Sequence, residues 1–417
     1  MRIANFILVF ILICNYQTFS QKYKILTLNE GSYDYINQKV DVPVTLGEYD
    51  FTNKLYRKLD QIDGARFASD LVLSGNSIWV AADRYLIEYN RTTRTRVRAL
   101  EIEGIRKVAL YGQFLIVTRG EYLKQLSSYV QIYRRKNLSL AFEIPYQKLP
   151  YTAENIVIQN DKAYISINNG FVFGEEVGKI IEIDLNNMQW TNTIDLGDEG
   201  KNPENLVYHS NKLYTLNNRD FQSSSISEIN LANLSKQTVV LSDVQSLCGT
   251  SALIGNAILY QEYGETNVGQ FELSSRQSGY YKELGESFYG MTFDSIGKLL
   301  CAGTTDFKTS GEVFVYNQNF DLLYRYSAGV APGYFAFDYA DPLMEDEQFR
   351  IVPNPASSYL DILLEGNLNK VQIFDLSGRL LIEHNSGHIY VGLLQPGMYT
   401  LEVVTDQFTK SKPFIID

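Results

Sequence analysis

The chain has 417 residues, 45% of them apolar and 20% charged, with a formal net charge of -11. That apolar share supports a packed core and excludes wholesale disorder, and the length suits a closed repeat fold with a small appendage. The acidic balance excludes nucleic acid as a partner, because phosphate binding needs a basic face. Thirty Tyr and 22 Phe beside 29 Gly point to strands and turns, hence an all-β chain.

Residues 1–20 read as a signal peptide. Arg2 precedes an unbroken apolar run from Phe6 to Cys14, and Thr18 and Ser20 place small residues before Gln21. At 1.5 Å per residue, a helix over that run covers roughly 14 Å, about half a bilayer core. No other stretch approaches the ~18 apolar residues of a membrane helix, so no transmembrane segment is expected. Removal of this leader leaves Cys248 and Cys301, read as two buried strand cysteines rather than a disulfide.

From residue 21 to residue 340 a unit recurs about every 40 residues. First strands begin at Ser69 (SDLVL), Arg106 (RKVAL), Glu154 (ENIVI) and Glu204 (ENLVY), with an irregular copy near Ser246 and clear ones at Tyr289 (YGMTF) and Gly333 (GYFAF). Partner strands such as SIWVAA, QFLIVT and KAYISI follow across turns at Gly75-Asn76, Gly112 and Asn160-Asp161. A third strand, as in KIIEIDL from Lys179, and a less regular fourth complete each unit. Four strands per unit match one propeller blade. Residues 23–64 lack a first strand, whereas Gly333 to Phe337 is a first strand with nothing after it. The two ends are therefore expected to share one blade, closing a ring of seven. The basic run Arg91 to Arg98 reads as a solvated outer strand.

Residues 341–347 (DPLMEDE) form a plausible linker, and residues 348–417 read as a small immunoglobulin-like β-sandwich of short strands with turns at Ser377-Gly378 and Pro396-Gly397. Here the motifs are specific. Pro353-Asn354-Pro355-Ala356, then Leu360-Asp361-Ile362, Val371 to Leu381 (VQIFDLSGRLL) and Leu394 to Val403 (LQPGMYTLEV) resemble the type A sorting domain of the type IX secretion system. Pro353, Asn354, Pro355, Gly378, Gly397 and Tyr399 carry the motif. The resemblance implies the type IX machinery as a partner and an exported protein, on the outer-membrane surface or extracellular. The final hairpin departs from the pattern, with Asp406-Gln407 where Gly is common, and the chain closes on Asp417.

The propeller sequence resembles, more loosely, bacterial surface-layer-type propellers of the lactonase-like superfamily, through LNEGSY (Leu28 to Tyr33), AENIVIQNDKAYIS (Ala153 to Ser166) and PENLVYHSNKLYTLNN (Pro203 to Asn218). This likeness implies two alternative functions: corrinoid (vitamin B12-type) capture for a TonB-dependent transporter, or a metal-dependent lactonase-like hydrolase.

No catalytic constellation is legible. The three histidines, His209, His384 and His388, are scattered, and there is no phosphate loop or zinc spacing. No cofactor is expected, except that Glu154, Asn155, Glu204 and Asn205 offer oxygen ligands for a divalent cation in the hydrolase reading. What remains is one face of the disc, where the loops into the first strands and those joining second to third strands emerge together. These loops pair polar groups with aromatics, the make-up of a ligand site. Glu154, Asn155, Glu204, Asn205, Arg119, Asn168, Asn217 and Arg219 are the candidate binding residues, for an unknown small molecule, glycan or surface protein. The sequence thus reads as a non-catalytic, exported binding propeller.

Overall fold

The computed structural model describes residues 23–339 and 349–417, apart from 221, 242–243, 263, 365–367, 377 and 407 and the side chains of 247–249. The expected signal peptide, the linker and the side chain of Cys248 lie outside the described residues. Cys301 is a buried free thiol, pushed up in pKa by that burial.

Seven four-stranded antiparallel sheets follow one another from residue 23 to residue 339. The middle strands of each sheet are buried on both faces, as in Ser77–Ala82, where every residue after the first is buried. The outermost strands are largely exposed, as in Arg96–Glu101. An apolar run covered on both sides needs a neighbour on each side, so every sheet becomes a blade wedged between two others.

Blade 1 joins the two ends of the propeller. Its innermost strand, Pro332–Tyr339, pairs antiparallel with Tyr23–Asn29, from Tyr23 opposite Tyr339 to Leu28 opposite Tyr334. Each joint between consecutive blades has its own apolar cluster. Leu26, Leu46, Ile78 and Val80 fill the joint between blades 1 and 2. The last joint, between blades 7 and 1, holds Ile25, Tyr49, Val313, Val315 and Tyr326. An open stack of seven sheets has no such last joint. It is also the most aromatic: Tyr49 stacks on Tyr326 with centroids 4.1 Å apart, and the hydroxyls of Tyr326 and Thr27 are hydrogen-bonded at 3.0 Å. Backbones nearly touch there, since a Cβ on Gly290 would fall 2.1 Å from the Gly333 carbonyl oxygen.

The turn between third and fourth strands repeats in all seven blades. Its closing residue is left-handed each time (Lys54, Arg94, Leu138, Met188, Leu234, Arg276, Phe320), with φ between 52° and 62°. None is glycine, although the conformation costs roughly 1–2 kcal/mol per L-residue. Packing offsets it at Leu138 and Phe320, which are buried, and ion pairing at Arg94 and Arg276.

The basic run is not a freely solvated face. Arg91 pairs with Asp338, Arg94 with Glu48, Arg96 with Asp60 and Arg98 with Glu88, each at 2.6 Å. Three of those acids belong to blade 1, so the run fastens blade 2 to the shared blade.

The tail is a sandwich of a three-stranded sheet, Phe349–Val352, Tyr359–Leu364 and His388–Tyr390, and a four-stranded sheet, Leu380–His384, Leu368–Phe374, Gly397–Thr405 and Thr409–Ile416. Phe349, Leu360, Val371, Leu401 and Phe414 are among the residues of its core. The residues expected to carry the sorting motif sit at its structural corners. Asn354 Oδ1 accepts from the Ile415 N–H at 2.9 Å, Gly378 takes φ 82° in a turn, Gly397 opens a strand, and the Tyr399 hydroxyl donates to the Gln395 carbonyl at 2.7 Å.

Ring closure yields a test. A chain ending at Tyr339 should keep a cooperative thermal transition by circular dichroism. One ending at Ala331 loses the inner strand of blade 1 and should lose that transition.

Candidate ligand site on the propeller axis

The innermost strands of the blades run side by side around the axis, all starting from the same face. In five consecutive blades the pairing with the second strand loses register at the same place, just inside the start. The breaks lie between Ala68 and Asp70, Ile105 and Val108, Ala153 and Ile156, Pro203 and Asn205, and Ser246 and Ser251. A bulge of this kind bends the strand and re-aims a side chain. Asp70, Arg106, Lys107, Glu154, Glu204 and Asn205, all at these breaks, line one axial cavity of about 810 Å³. That volume falls within the ~300–1,000 Å³ of small-molecule sites.

The cavity walls are aromatic. Phe67 comes from the loop into blade 2, Tyr122 from the second-to-third-strand loop of blade 3, and Phe171 and Phe173 from that of blade 4. Tyr35 leans in from blade 1, Tyr289 precedes the inner strand of blade 7, and Tyr334 lies on the closing strand.

The charged groups of the floor are hydrogen-bonded within the protein. Arg106 donates through Nε and Nη2 to the two oxygens of Glu154, at 2.9 and 3.0 Å, a bidentate fork. Its guanidinium also lies 5.1 Å from the Phe171 ring centroid and 5.7 Å from that of Phe67. Burial works against this charge, but the Glu154 carboxylate outweighs it and holds the pKa above the ordinary value. Lys107 donates to the Ser69 carbonyl at 2.8 Å and sits over the Tyr334 ring. Asp70 accepts the N–H groups of Leu71 and Val108, at 3.0 and 2.9 Å. Burial raises its carboxyl despite the opposing field of Lys107. Glu30 accepts the Tyr289 hydroxyl, and burial raises its carboxyl too.

The rim is exposed and apolar. Phe173 is 81% exposed and Tyr35 59%, and Ile36 and Leu123 stand out beside them. Tyr35 and Tyr122 meet across blade 2 with ring centroids 6.2 Å apart. Arg66 steadies this rim by bridging Asp83 and Glu121, at 2.5 and 2.6 Å, beneath the Tyr122 ring.

Of the residues singled out from sequence, Glu154, Glu204, Asn205 and Asn168 line the cavity. Asn205 donates to Ser251 Oγ at 2.6 Å. Asn168 is buried and accepts from Thr152 and Gly170, shaping the loop that carries Phe171 and Phe173. The other four lie elsewhere. Asn155 caps the N–H of Ile156, and its own N–H bonds Ser166. Arg119 is buried and donates to the carbonyls of Glu103 and Ser128. Asn217 is buried and donates to Ser225 and Ser227, and Arg219 pairs with Glu199 at 3.0 Å.

Arg106, Lys107, Asp70 and the aromatic walls were not among those candidates. Their signal was present: Arg106 occupies the same place in its repeat as Glu154 and Glu204. Among the described residues, no group of three or more His, Cys, Asp or Glu could hold a metal ion, and no helix is long and apolar enough to cross a membrane.

These features define a seven-bladed β-propeller with an axial cavity and a β-sandwich tail. Residues 350–417 match the family described as the secretion system C-terminal sorting domain. The tail therefore marks the protein for type IX export, to the cell surface or the extracellular space. No curated protein sequence matches the chain. Among solved structures, the extracellular domain of a putative one-component system from B. thetaiotaomicron is similar, with TM-score 0.51 and 12% identity over 94% of this chain. The chain spans 57% of that domain's length. A putative 6-phosphogluconolactonase from Bacteroides fragilis has TM-score 0.54 and 13% identity, over 78% of this chain and 99% of that one. A hypothetical selenium-binding protein from Sulfolobus tokodaii has TM-score 0.56 and 9% identity, over 77% and 94%. Such identities establish the propeller fold alone.

The half-buried Glu30 sets a pH dependence. A carboxyl whose pKa is raised on folding contributes stability below its ordinary value of 4.5 and loses it as pH rises through the folded value. Gln at this position stays neutral and still accepts from Tyr289. Glu30→Gln should melt with the parent protein below pH 4.5 and at a higher temperature at neutral pH, measured by scanning calorimetry.

Proposed function

We propose that this protein is a non-catalytic binding propeller, exported to the cell surface or beyond, whose axial cavity holds a small-molecule or oligomeric ligand. The observation that carries the reading is the pairing of a hydrogen-bonded polar floor with an exposed aromatic rim in one cavity. Exposed apolar groups on a soluble protein mark contact sites. Aromatic rings supply contact area at low entropic cost. Glu154 is held in a fork by Arg106, an arrangement suited to presenting fixed hydrogen-bonding atoms.

The direction of the inner strands supports a role at a surface. Pro332–Tyr339 begins at the mouth, where Gly333 and Tyr334 line the cavity. Eight residues at roughly 3.3 Å each carry it toward the opposite face, and the sorting tail follows from there. An anchor applied through the tail leaves the mouth facing away from it.

A panel of cyanocobalamin, oligosaccharides, short peptides and simple lactones, screened by thermal shift on the full chain, tests the reading. A binder should lose affinity at least tenfold, about 1.4 kcal/mol, in the Tyr122→Ala, Phe173→Ala double variant. Affinity unchanged in that variant would refute the site, and turnover of a lactone would refute the non-catalytic role.

A further inference from the structure

We infer that the cavity takes a neutral, hydroxyl-rich ligand, an oligosaccharide without acidic groups. This rests on the reading that the axial cavity is the ligand site.

The first argument is charge. The cavity holds acids and bases, yet the charged groups are already engaged within the protein. Arg106 and Glu154 form a fork, Lys107 donates to a carbonyl beside Asp70, and Glu30 accepts from Tyr289. Glu204 is likewise engaged by a neighbour. A charged ligand gains little from such a floor unless it displaces a partner, and that leaves a buried charge uncompensated. The Arg106–Glu154 pair and its hydrogen-bonded neighbours still offer unused lone pairs and N–H groups, so a neutral polar ligand is rewarded without any contact being broken.

The second argument is the mix of donors and acceptors. Carboxylate oxygens accept, the guanidinium donates, and Ser251 and Thr292 hydroxyls do both. A ligand whose groups both donate and accept fits this lining, and the hydroxyl is the simplest such group. The third argument is shape. Aromatic faces form the walls and rim while polar groups form the floor. A pyranose ring has C–H groups on its faces and hydroxyls around its edge. It can stack on Phe173 or Tyr122 while its edge reaches the Arg106–Glu154 pair.

Titration calorimetry of the full chain tests this. The probes are linear gluco-, xylo-, manno- and galacto-oligosaccharides, with an oligogalacturonate, a sulfated hexasaccharide, cyanocobalamin and neutral peptides for comparison. A neutral oligosaccharide should bind, with less than twofold change in affinity between low and high salt, since no net charge is exchanged. Glu154→Gln frees the Arg106 charge and should weaken the neutral sugar at least tenfold while strengthening the oligogalacturonate. Phe173→Ala, at a position 81% exposed, should weaken the neutral sugar at least fivefold, with the melting temperature of the variant measured beside it. Binding confined to the acidic oligosaccharides, the peptides or cyanocobalamin, but still weakened by Phe173→Ala, would overturn the sugar assignment and leave the cavity as the site. Binding by no probe, or binding indifferent to Phe173→Ala, would overturn both.

Discussion

A blade of this protein has two apolar faces and cannot bury them alone. Everything else follows from that constraint. Each sheet needs a neighbour on both sides, and seven sheets satisfy the need only if the last meets the first. The pairing of Tyr23–Asn29 with Pro332–Tyr339 provides the meeting, and the stack of Tyr49 on Tyr326 fills the joint it creates. The same closure brings residues about 300 positions apart into contact, as in the hydrogen bond from the Gly329 N–H to Asn29. It also removes two open sheet edges that would otherwise invite pairing with other chains.

Closure makes an axis, and the axis makes a site. The inner strands are parallel around it, so whatever stands at their starts converges. In most repeat proteins such a position is interchangeable from unit to unit. Here the register breaks turn it toward the channel, and side chains differ: Arg106, Glu154 and Glu204 in successive blades at one position, and Asp70, Lys107 and Asn205 at the next. Arg106 and Glu154 neutralise one another there, and a partly buried pair is tolerable when its geometry is good. The aromatic loops complete the enclosure from above. Structure and chemistry are thus coupled through one feature, the bulge at the start of most inner strands.

Several residues that look like ligand contacts from sequence are instead fastenings. Arg119 ends the second strand of blade 3, and its guanidinium is spent on the backbone carbonyls of Glu103 and Ser128. Asn217 is consumed by two serines of the adjacent strand. Polar loop residues serve backbone groups first, because buried N–H and C=O groups need partners. What distinguishes a fastening from a contact is direction, and direction depends on the bulge and on the neighbouring blade. Neither is a property of the residue type. By contrast, Glu154 and Glu204 were legible because they recur at one place in the repeat. Arg106 shares that place and escaped notice only because its charge is opposite.

The sequence by itself determined the all-β class, the seven-fold repeat, the shared closing blade and the sorting tail. Each of these is written in local patterns: apolar runs of strand length, turn residues between them, and a motif contiguous over its last 70 or so residues. Only the tertiary structure decided which polar residues meet on the axis, which acids accept the arginines of the basic run, and where the aromatic rim stands. Those depend on contacts between blades, set by ring closure and by shifts of a single residue in register. Such a shift sends a side chain to the opposite face of its strand, and no periodicity along the chain records it.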